Sequence, residues 1–371
     1  MPIKFEPGYF ASLSYKVTRK IKMTIIKCAL AVLIISLTAC SSSSKNMKVY
    51  HQPDINKIKP IFPANGLSIQ YLGVGGHLFR FGDQAIMTAP SITNPHFLAL
   101  GPYMPISPDH QLIDRFLPDV SNVETILVGH AHYDHLMDVP YIMQTKALQS
   151  QVYGSKTMMH TIAPSIDKSR RHALNDSMAE LDKPGRWFYN KAKNIRFMAL
   201  KSTHAPHFMG INIMTGTYEE DLEELPWHAF GWKEGQTLAY LIDFLGPDNS
   251  ILHRVFYQDA ASQEPLGLIP QFGQADQKRV DIAIITPASF NQVDNYPEGI
   301  MRNSQAKHFI LGHWEDFFAN QEEEEQVFVR AINYDDFYTR FEAALPSDSS
   351  WAMPQLYHTQ YFAPHGKLLT H

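Results

Sequence analysis

Thr125-Ile-Leu-Val-Gly-His130-Ala-His132-Tyr-Asp134-His135 decides the reading of this chain. Thr125 to Val128 are β-branched or aliphatic and read as a buried strand, which Gly129 ends. Three histidines and an aspartate follow between positions 130 and 135. A strand fixes a direction, and the turn after it can aim several side chains at one point. Imidazoles and a carboxylate converging there suit Zn²⁺ or a similar divalent ion. His130 and His132, two apart, can share one ion, and Asp134 and His135 can turn toward a second beside it. A lone His-x-His is usually a polar loop. The denser His-x-His-x-Asp-His, directly after an apolar strand, reads as a metal site.

This pattern resembles the metal-binding signature of the metallo-β-lactamase superfamily. The resemblance implies an α/β fold, a four-layer αββα sandwich with one or two metals at the edge of its sheets. It also implies further ligands at the ends of three later strands, and the chain supplies them in order. Ile195-Arg-Phe-Met-Ala-Leu200 leads into Ser202-Thr-His204-Ala-Pro-His207. His204 fits the third histidine because it lies closer to the strand end, with His207 the competing candidate. Thr237–Phe244 and Arg254–Tyr257 read as a strand pair joined by Gly246-Pro-Asp-Asn249. The second strand ends at Asp259, where the family places a bridging carboxylate; Gln258 stands where the family usually has Gly. Val280–Ile285 is a continuous apolar strand, Asn303–Ala306 has helical character, and His308-Phe-Ile-Leu-Gly-His313 delivers the last ligand. Carried over, one ion is bound by His130, His132 and His204, the other by Asp134, His135 and His313, and Asp259 bridges them. The match runs from about residue 67 to 345.

Such a pair of ions, ~3.5–4 Å apart, shares a water. A Zn²⁺-bound water titrates near pH ~7 against ~15.7 when free, giving a hydroxide nucleophile without a serine or cysteine. Asp134 is the catalytic candidate, ligating and also orienting the hydroxide or shuttling its proton. The cofactors expected are two divalent ions, zinc by default, with manganese or iron compatible with the donor set. Gly76-His77 before the apolar strand Leu78–Phe81 is similar to one branch of the superfamily, that of the N-acylphosphatidylethanolamine phospholipase D and ascorbate-phosphate lactonase types. That branch usually has Thr-Asp-Pro after these strands, where this chain has Thr88-Ala89-Pro90. The resemblance favours hydrolysis of a phosphodiester, with a lipid-derived substrate in view; lactone or other ester hydrolysis is the alternative on the same fold. An iron-dependent oxidoreductase and a non-catalytic lipoprotein binding module are readings from other classes. Residues proposed for the substrate pocket are His77, Tyr133, His207, Trp227, Trp232 and Trp314.

The N-terminus reads as an address rather than as fold. Lys16, Arg19, Lys20, Lys22 and Lys27 precede the apolar run Cys28–Leu37, which is too short to span a bilayer. Leu37-Thr-Ala-Cys40 followed by Ser41–Ser44 is similar to a bacterial lipoprotein signal, with cleavage before Cys40 and lipid attached to it. Met23 offers an alternative start. The expected organisation is a signal peptide at 1–39, a tether at 40–65 and the hydrolase domain at 66–371. Removing 1–39 takes away six Lys/Arg and one Asp/Glu, so the totals of 32 and 37 fall to 26 and 36, a net charge of −10. That balance excludes a nucleic-acid partner, which needs a basic face, and electrostatic docking on anionic lipid. The expected partners are a small-molecule or lipid substrate and the membrane through Cys40, on the periplasmic face of a bacterial outer membrane. Oligomeric state is not legible.

The remaining expectations are structural. Leu67–Leu72, Leu78–Phe81 and Gln84–Thr88 form a strand meander, and the glycines at 73–76 are not a phosphate loop. Residues 91–122 are Pro-rich and irregular. Met137–Gln149 is a helix, Gln151–Gly154 a short strand, and Lys156–Asp182 partly helical around Pro164. The basic run Lys168–His172 and the acidic run Glu219–Glu224 are solvated faces. An insertion at 208–235, with Trp227, Phe230 and Trp232, is where specificity would lie. Gln321–Ala344 is an amphipathic helix.

Overall fold

In the computed structural model, residues 63, 65–101, 103–207, 210–318, 326–330 and 332–369 are described. The proposed signal peptide, Met23, Cys40, nearly all of the tether and residues 321–325 of the expected last helix lie outside them.

Among the described residues the strands form two sheets. The first contains β1 (Leu67–Gly73), β2 (Gly76–Phe81), β3 (Gln84–Thr88), β4 (Val123–Leu127), β5 (Gln151–Gly154), β6 (Arg171–Ala173), β14 (Thr359–Ala363) and β15 (Lys367–Leu368), in the order β15-β14-β1-β2-β3-β4-β5-β6. The second contains β7 (Phe188–Tyr189), β8 (Ile195–Lys201), β9 (Leu238–Leu245), β10 (Ile251–Tyr257), β11 (Ile282–Ile285), β12 (His308–Leu311) and β13 (Ser350–Ala352), in the order β13-β12-β11-β10-β9-β8-β7. Each sheet has an antiparallel part and a parallel part. β3 to β6 run parallel in the first, β10 to β13 in the second.

The layering follows from side-chain alternation along the strands. Leu67, Ile69, Phe79, Phe81 and Leu127 of the first sheet meet Phe197, Ile242, Val255, Tyr257 and Ile284 of the second in one buried core. The alternate residues turn outward and are covered. Leu72, Leu78, Met87, Ile126 and Val128 pack under Leu112, Ile113, Ile142, Met143 and Met158. These five come from helices α1 (His110–Phe116), α3 (Val139–Thr145) and α4 (Lys156–Thr161). On the other side Leu200, Leu241, Phe256, Ile285 and Leu311 pack under Ile300 and Met301 of α5 (Glu298–Ser304) and Phe337 and Phe341 of α6 (Tyr334–Ala344). The fold is the expected αββα sandwich. Each of these fully buried aliphatic or aromatic side chains contributes ~1.5–3 kcal/mol relative to exposure.

Several local expectations need correction. The Pro-rich stretch 91–122 contains α1, started by Asp109, whose carboxylate accepts the N–H groups of Gln111 and Leu112 at 3.0 Å each. The helix expected over 137–149 covers only Val139–Thr145, and the motif itself makes a separate helical turn, α2 (Tyr133–Leu136). The last helix runs from Tyr334, capped by Asn333, to Ala344; of the earlier span expected to be helical, residues 326–330 are not helical and 321–325 lie outside the described residues. The helical character near Asn303–Ala306 belongs to the end of α5. The basic run 168–172 is not a solvated face. Arg171 is buried and its guanidinium bonds both oxygens of Asp221 at 2.8 Å, and Arg170 donates to the carbonyls of Met143, Ala147 and Ser150. The acidic run is exposed as expected, but its Asp221 also meets His160 Nδ1 at 2.7 Å. These contacts pin the 208–235 insertion to α4 and β6.

Candidate metal centre

The donors converge at the C-terminal ends of the central strands of both sheets. β4 runs through Val128 and Gly129 into His130, and α2 then carries Asp134 and His135. β8 leads to His204, β10 to Asp259 and β12 to His313. Among the described residues, three donor groups arise whose ligand atoms lie within 4.8 Å of one another: His130, His132 and His204; Asp134, His135 and His313; and His130, His135 and Asp259. The first two are the two sets carried over from the sequence, and the third contains the residue read there as a bridge. Asp259 spans them, with Oδ1 3.3 Å from His130 Nδ1 and Oδ2 3.2 Å from His135 Nδ1. Asp134 Oδ2 lies 3.4 Å from His135 Nε2 and 3.7 Å from His313 Nε2.

The donor set fits divalent ions. The Nε2 atoms of His130, His132 and His135 and Nδ1 of His313 are buried without hydrogen-bond partners. Buried polar atoms are nearly always paired, so a convergence of orphaned imidazole nitrogens marks a place built for something that accepts their lone pairs. Burial, and then the neighbouring imidazoles, hold His130 down to about 3 and His132 well below the usual histidine range. Both are therefore neutral, the ligating form, at physiological pH. Burial is the largest single influence on Asp134 and Asp259 and opposes their ionisation, but the neighbouring histidines together outweigh it, His135, His313 and His132 at Asp134 and His135 and His130 at Asp259, so both stay carboxylates. Five imidazoles and two carboxylates in one buried cluster suit Zn²⁺, Mn²⁺ or Fe²⁺.

The competing histidine, His207, stacks on the His204 ring at 4.6 Å and lies outside the three groups. Its Nδ1 accepts the N–H of Ile213 at 3.3 Å, which turns it toward the insertion. Burial, then His204, lowers it to about 3.

The expected pocket residues divide. His207 borders the centre. Trp227 is exposed on the insertion, its carbonyl accepting the N–H of Ile106. Trp232, Trp314 and Tyr133 are buried in the outer cores and do not line an opening. The Trp314 indole N–H is spent on Pro354 O at 2.9 Å. His77 is also buried, lodged behind the donors against Tyr71, Tyr257 and the bare Gly312. A tryptophan near a motif is an apolar residue first, and here the core claims it.

Other residues were invisible in the sequence. Gly129 gives Asp259 its place: a Cβ there would sit 2.3 Å from both carboxylate oxygens. Tyr257 Oη lies 2.7 Å from Gly75 O and 3.1 Å from Asp259 Oδ2. A ladder of half-buried rings runs outward from His313. Phe317 packs on it at 4.8 Å, Phe318 on Phe317 at 4.3 Å, and Phe97 on Phe318 at 5.3 Å. The only available signal was Phe317-Phe318 following His313 in sequence.

No protein-family model matches the chain, and no curated protein matches it. Solved structures do. Igni18, a metallo hydrolase from Ignicoccus hospitalis, aligns over 80% of this chain and 98% of its own at 12% identity, with a TM-score of 0.47. YhfI from Bacillus subtilis, a metallo-β-lactamase fold protein, aligns over 80% and 99% at 12% identity, with a TM-score of 0.45. CmlA, a diiron β-hydroxylase from Streptomyces venezuelae, aligns over 82% of this chain and 55% of its own at 12% identity, with a TM-score of 0.44. At these scores the likenesses carry no argument about activity; the sandwich and the donor set stand on their own geometry.

Proposed function

We propose that this protein is a dinuclear metal-dependent hydrolase. The observation that carries the reading is the pair of adjacent three-donor groups joined through Asp259, all on strand ends that the fold brings together. Divalent ions bound there supply Lewis acidity and a hydroxide nucleophile at neutral pH. The chain's residues do the rest. His130, His132 and His204 present neutral nitrogens on one side, and Asp134, His135 and His313 complete the other. Asp134, kept ionised, accepts a proton from the attacking water. His207, stacked on His204, and the ring ladder from Phe317, packed on His313, are placed to meet the organic part of the substrate.

For substrate we propose a phosphodiester, supported by the Gly76-His77 resemblance, with a lipid-derived molecule in view because the N-terminal sequence resembles a lipoprotein signal. A lipid on Cys40 would hold the enzyme at a membrane on the periplasmic side. The test is metal content per chain on purified residues 41–371, followed by hydrolysis of bis(p-nitrophenyl) phosphate and then of lactones. About two Zn or Mn per chain and phosphodiester turnover, both lost in a His130→Ala/Asp259→Ala variant, are expected. One iron per chain would redirect the reading to oxidation chemistry. Absence of tightly held metal would refute the hydrolase.

A further inference from the structure

His313 occupies an unfavourable place. It follows Gly312 at the end of β12, and its own φ is +51°, the left-handed region that residues with a Cβ avoid. Such a conformation persists only where its surroundings hold it. The holding group is on another strand. Tyr71, in β1, accepts the backbone N–H of His313 on its hydroxyl at 2.8 Å. The same hydroxyl donates to Glu315 Oε2. The other oxygen of Glu315 accepts the backbone N–H of Val74 at 2.5 Å. Tyr71 and Glu315 are both 1% exposed, so neither exchanges these partners for water.

Val74 has the same left-handed φ, +51°, although it is β-branched. The turn it forms carries Gly75, whose missing side chain leaves room for the His135 ring: a Cβ there would lie 2.8 Å from His135 Nδ1. One buried carboxylate and one buried hydroxyl thus fasten two strained turns. One turn carries His313, and the other makes room for His135. Both histidines belong to the same three-donor group, with Asp134. Among the described residues, no hydrogen bond joins Tyr71 or Glu315 to the group of His130, His132 and His204.

We propose that Tyr71 and Glu315 are positioning residues that preform the Asp134–His135–His313 group and so set the occupancy of that one ion site. The proposal rests on the dinuclear reading above. Partners that orient ligands from behind typically change metal affinity 10- to 100-fold when removed.

The experiment is calorimetric Zn²⁺ titration of metal-stripped residues 41–371, wild type beside Tyr71→Phe, Glu315→Gln and Glu315→Ala, with circular dichroism on each stripped protein. In the wild type, two ions should bind. In each variant one ion should bind with unchanged affinity and the other about 10- to 100-fold more weakly. Glu315→Gln, which keeps an acceptor for Val74, should lose less than Glu315→Ala. Equal weakening of both ions would overturn the proposal, as would unchanged binding of both or loss of fold in both Tyr71→Phe and Glu315→Gln. A wild type that binds fewer than two ions would refute the dinuclear reading itself, and the positioning role with it. If Tyr71→Phe alone fails to fold, the two Glu315 variants decide.

Discussion

Gly129→Ala should disable the centre while sparing the fold. Gly129 does not have a positive φ, so alanine costs nothing in backbone conformation there. The whole effect is steric. The new Cβ would stand 2.3 Å from Oδ1 and Oδ2 of Asp259 and 2.5 Å from its Cγ. Ordinary contact begins near 3.4 Å, so the carboxylate must withdraw by about 1 Å. It has nowhere neutral to go, because His130, His135 and Tyr257 all lie within 3.3 Å of its oxygens. A misplacement of ~1 Å in such a constellation costs on the order of 10²-fold in rate, or ~2.7 kcal/mol of transition-state stabilisation. The matched control is Gly82→Ala in the β2–β3 turn. There φ is +58° and nothing lies within 4 Å of the added carbon, so the cost is about 1 kcal/mol of stability with the centre untouched. Metal stoichiometry, phosphodiester kcat/KM and Tm are measured on both. Gly129→Ala is expected to lose metal and activity while its metal-stripped form keeps a Tm near that of the metal-stripped wild type, and Gly82→Ala to keep metal and activity with a lower Tm. A Gly129→Ala protein with full metal content and activity would refute the placement of Asp259 at the heart of the centre.

Three other outcomes are expected. His204→Ala should lose one ion and His207→Ala should keep both, as read by metal analysis; the opposite pattern would exchange their roles. Asp221→Ala frees the insertion from Arg171 and His160, so KM should rise with metal content unchanged; unchanged KM would show that the insertion does not shape the opening. Asp138 concerns pH. Burial, opposed by the N–H groups of Thr93 and Ile92, pushes its carboxyl up from the ordinary 3.8 to about 6. Below 3.8 both folded and unfolded forms hold the proton. Between there and about 6 only the folded form does, so stability falls as pH rises, by up to ~3 kcal/mol for roughly two pKa units. Denaturant unfolding between pH 4 and 7 should give a stability-against-pH slope that is more positive in Asp138→Asn than in the wild type, the difference being the contribution of this carboxyl. Parallel slopes would place Asp138 in a more polar setting than its burial implies.

The donors were legible because each follows a strand that announces itself. Ile195–Leu200, Arg254–Tyr257 and His308–Leu311 are apolar runs, and a polar residue at the end of a buried strand has few reasons to be there. What remained hidden depends on partners far along the chain. Nothing near Glu315 indicates that its carboxylate meets Tyr71, 244 positions earlier. Nothing near Arg171 indicates that Asp221 will bury it. Gly129 reads as a strand terminator until Asp259 is seen against it. β13, β14 and β15 escaped for another reason. They are short, and Thr359-Gln-Tyr-Phe-Ala363 takes its strand character from pairing with β1 rather than from an apolar run. Trp314 follows His313 directly in sequence yet packs into the core, and Trp232 does the same from the insertion, because a large apolar ring gains most from burial.

The donors also straddle the sandwich. His130, His132, Asp134 and His135 descend from the first sheet, while His204, Asp259 and His313 descend from the second. An ion held by either group is therefore a fastener across the two halves of the fold. Its binding energy becomes folding energy: at a free concentration of 100 times Kd, a single such ion adds about 2.7 kcal/mol against unfolding. Scarcity of metal would then reach this protein twice, first as lost chemistry and then as a shorter-lived fold, so its abundance in the cell would report the metal supply around it.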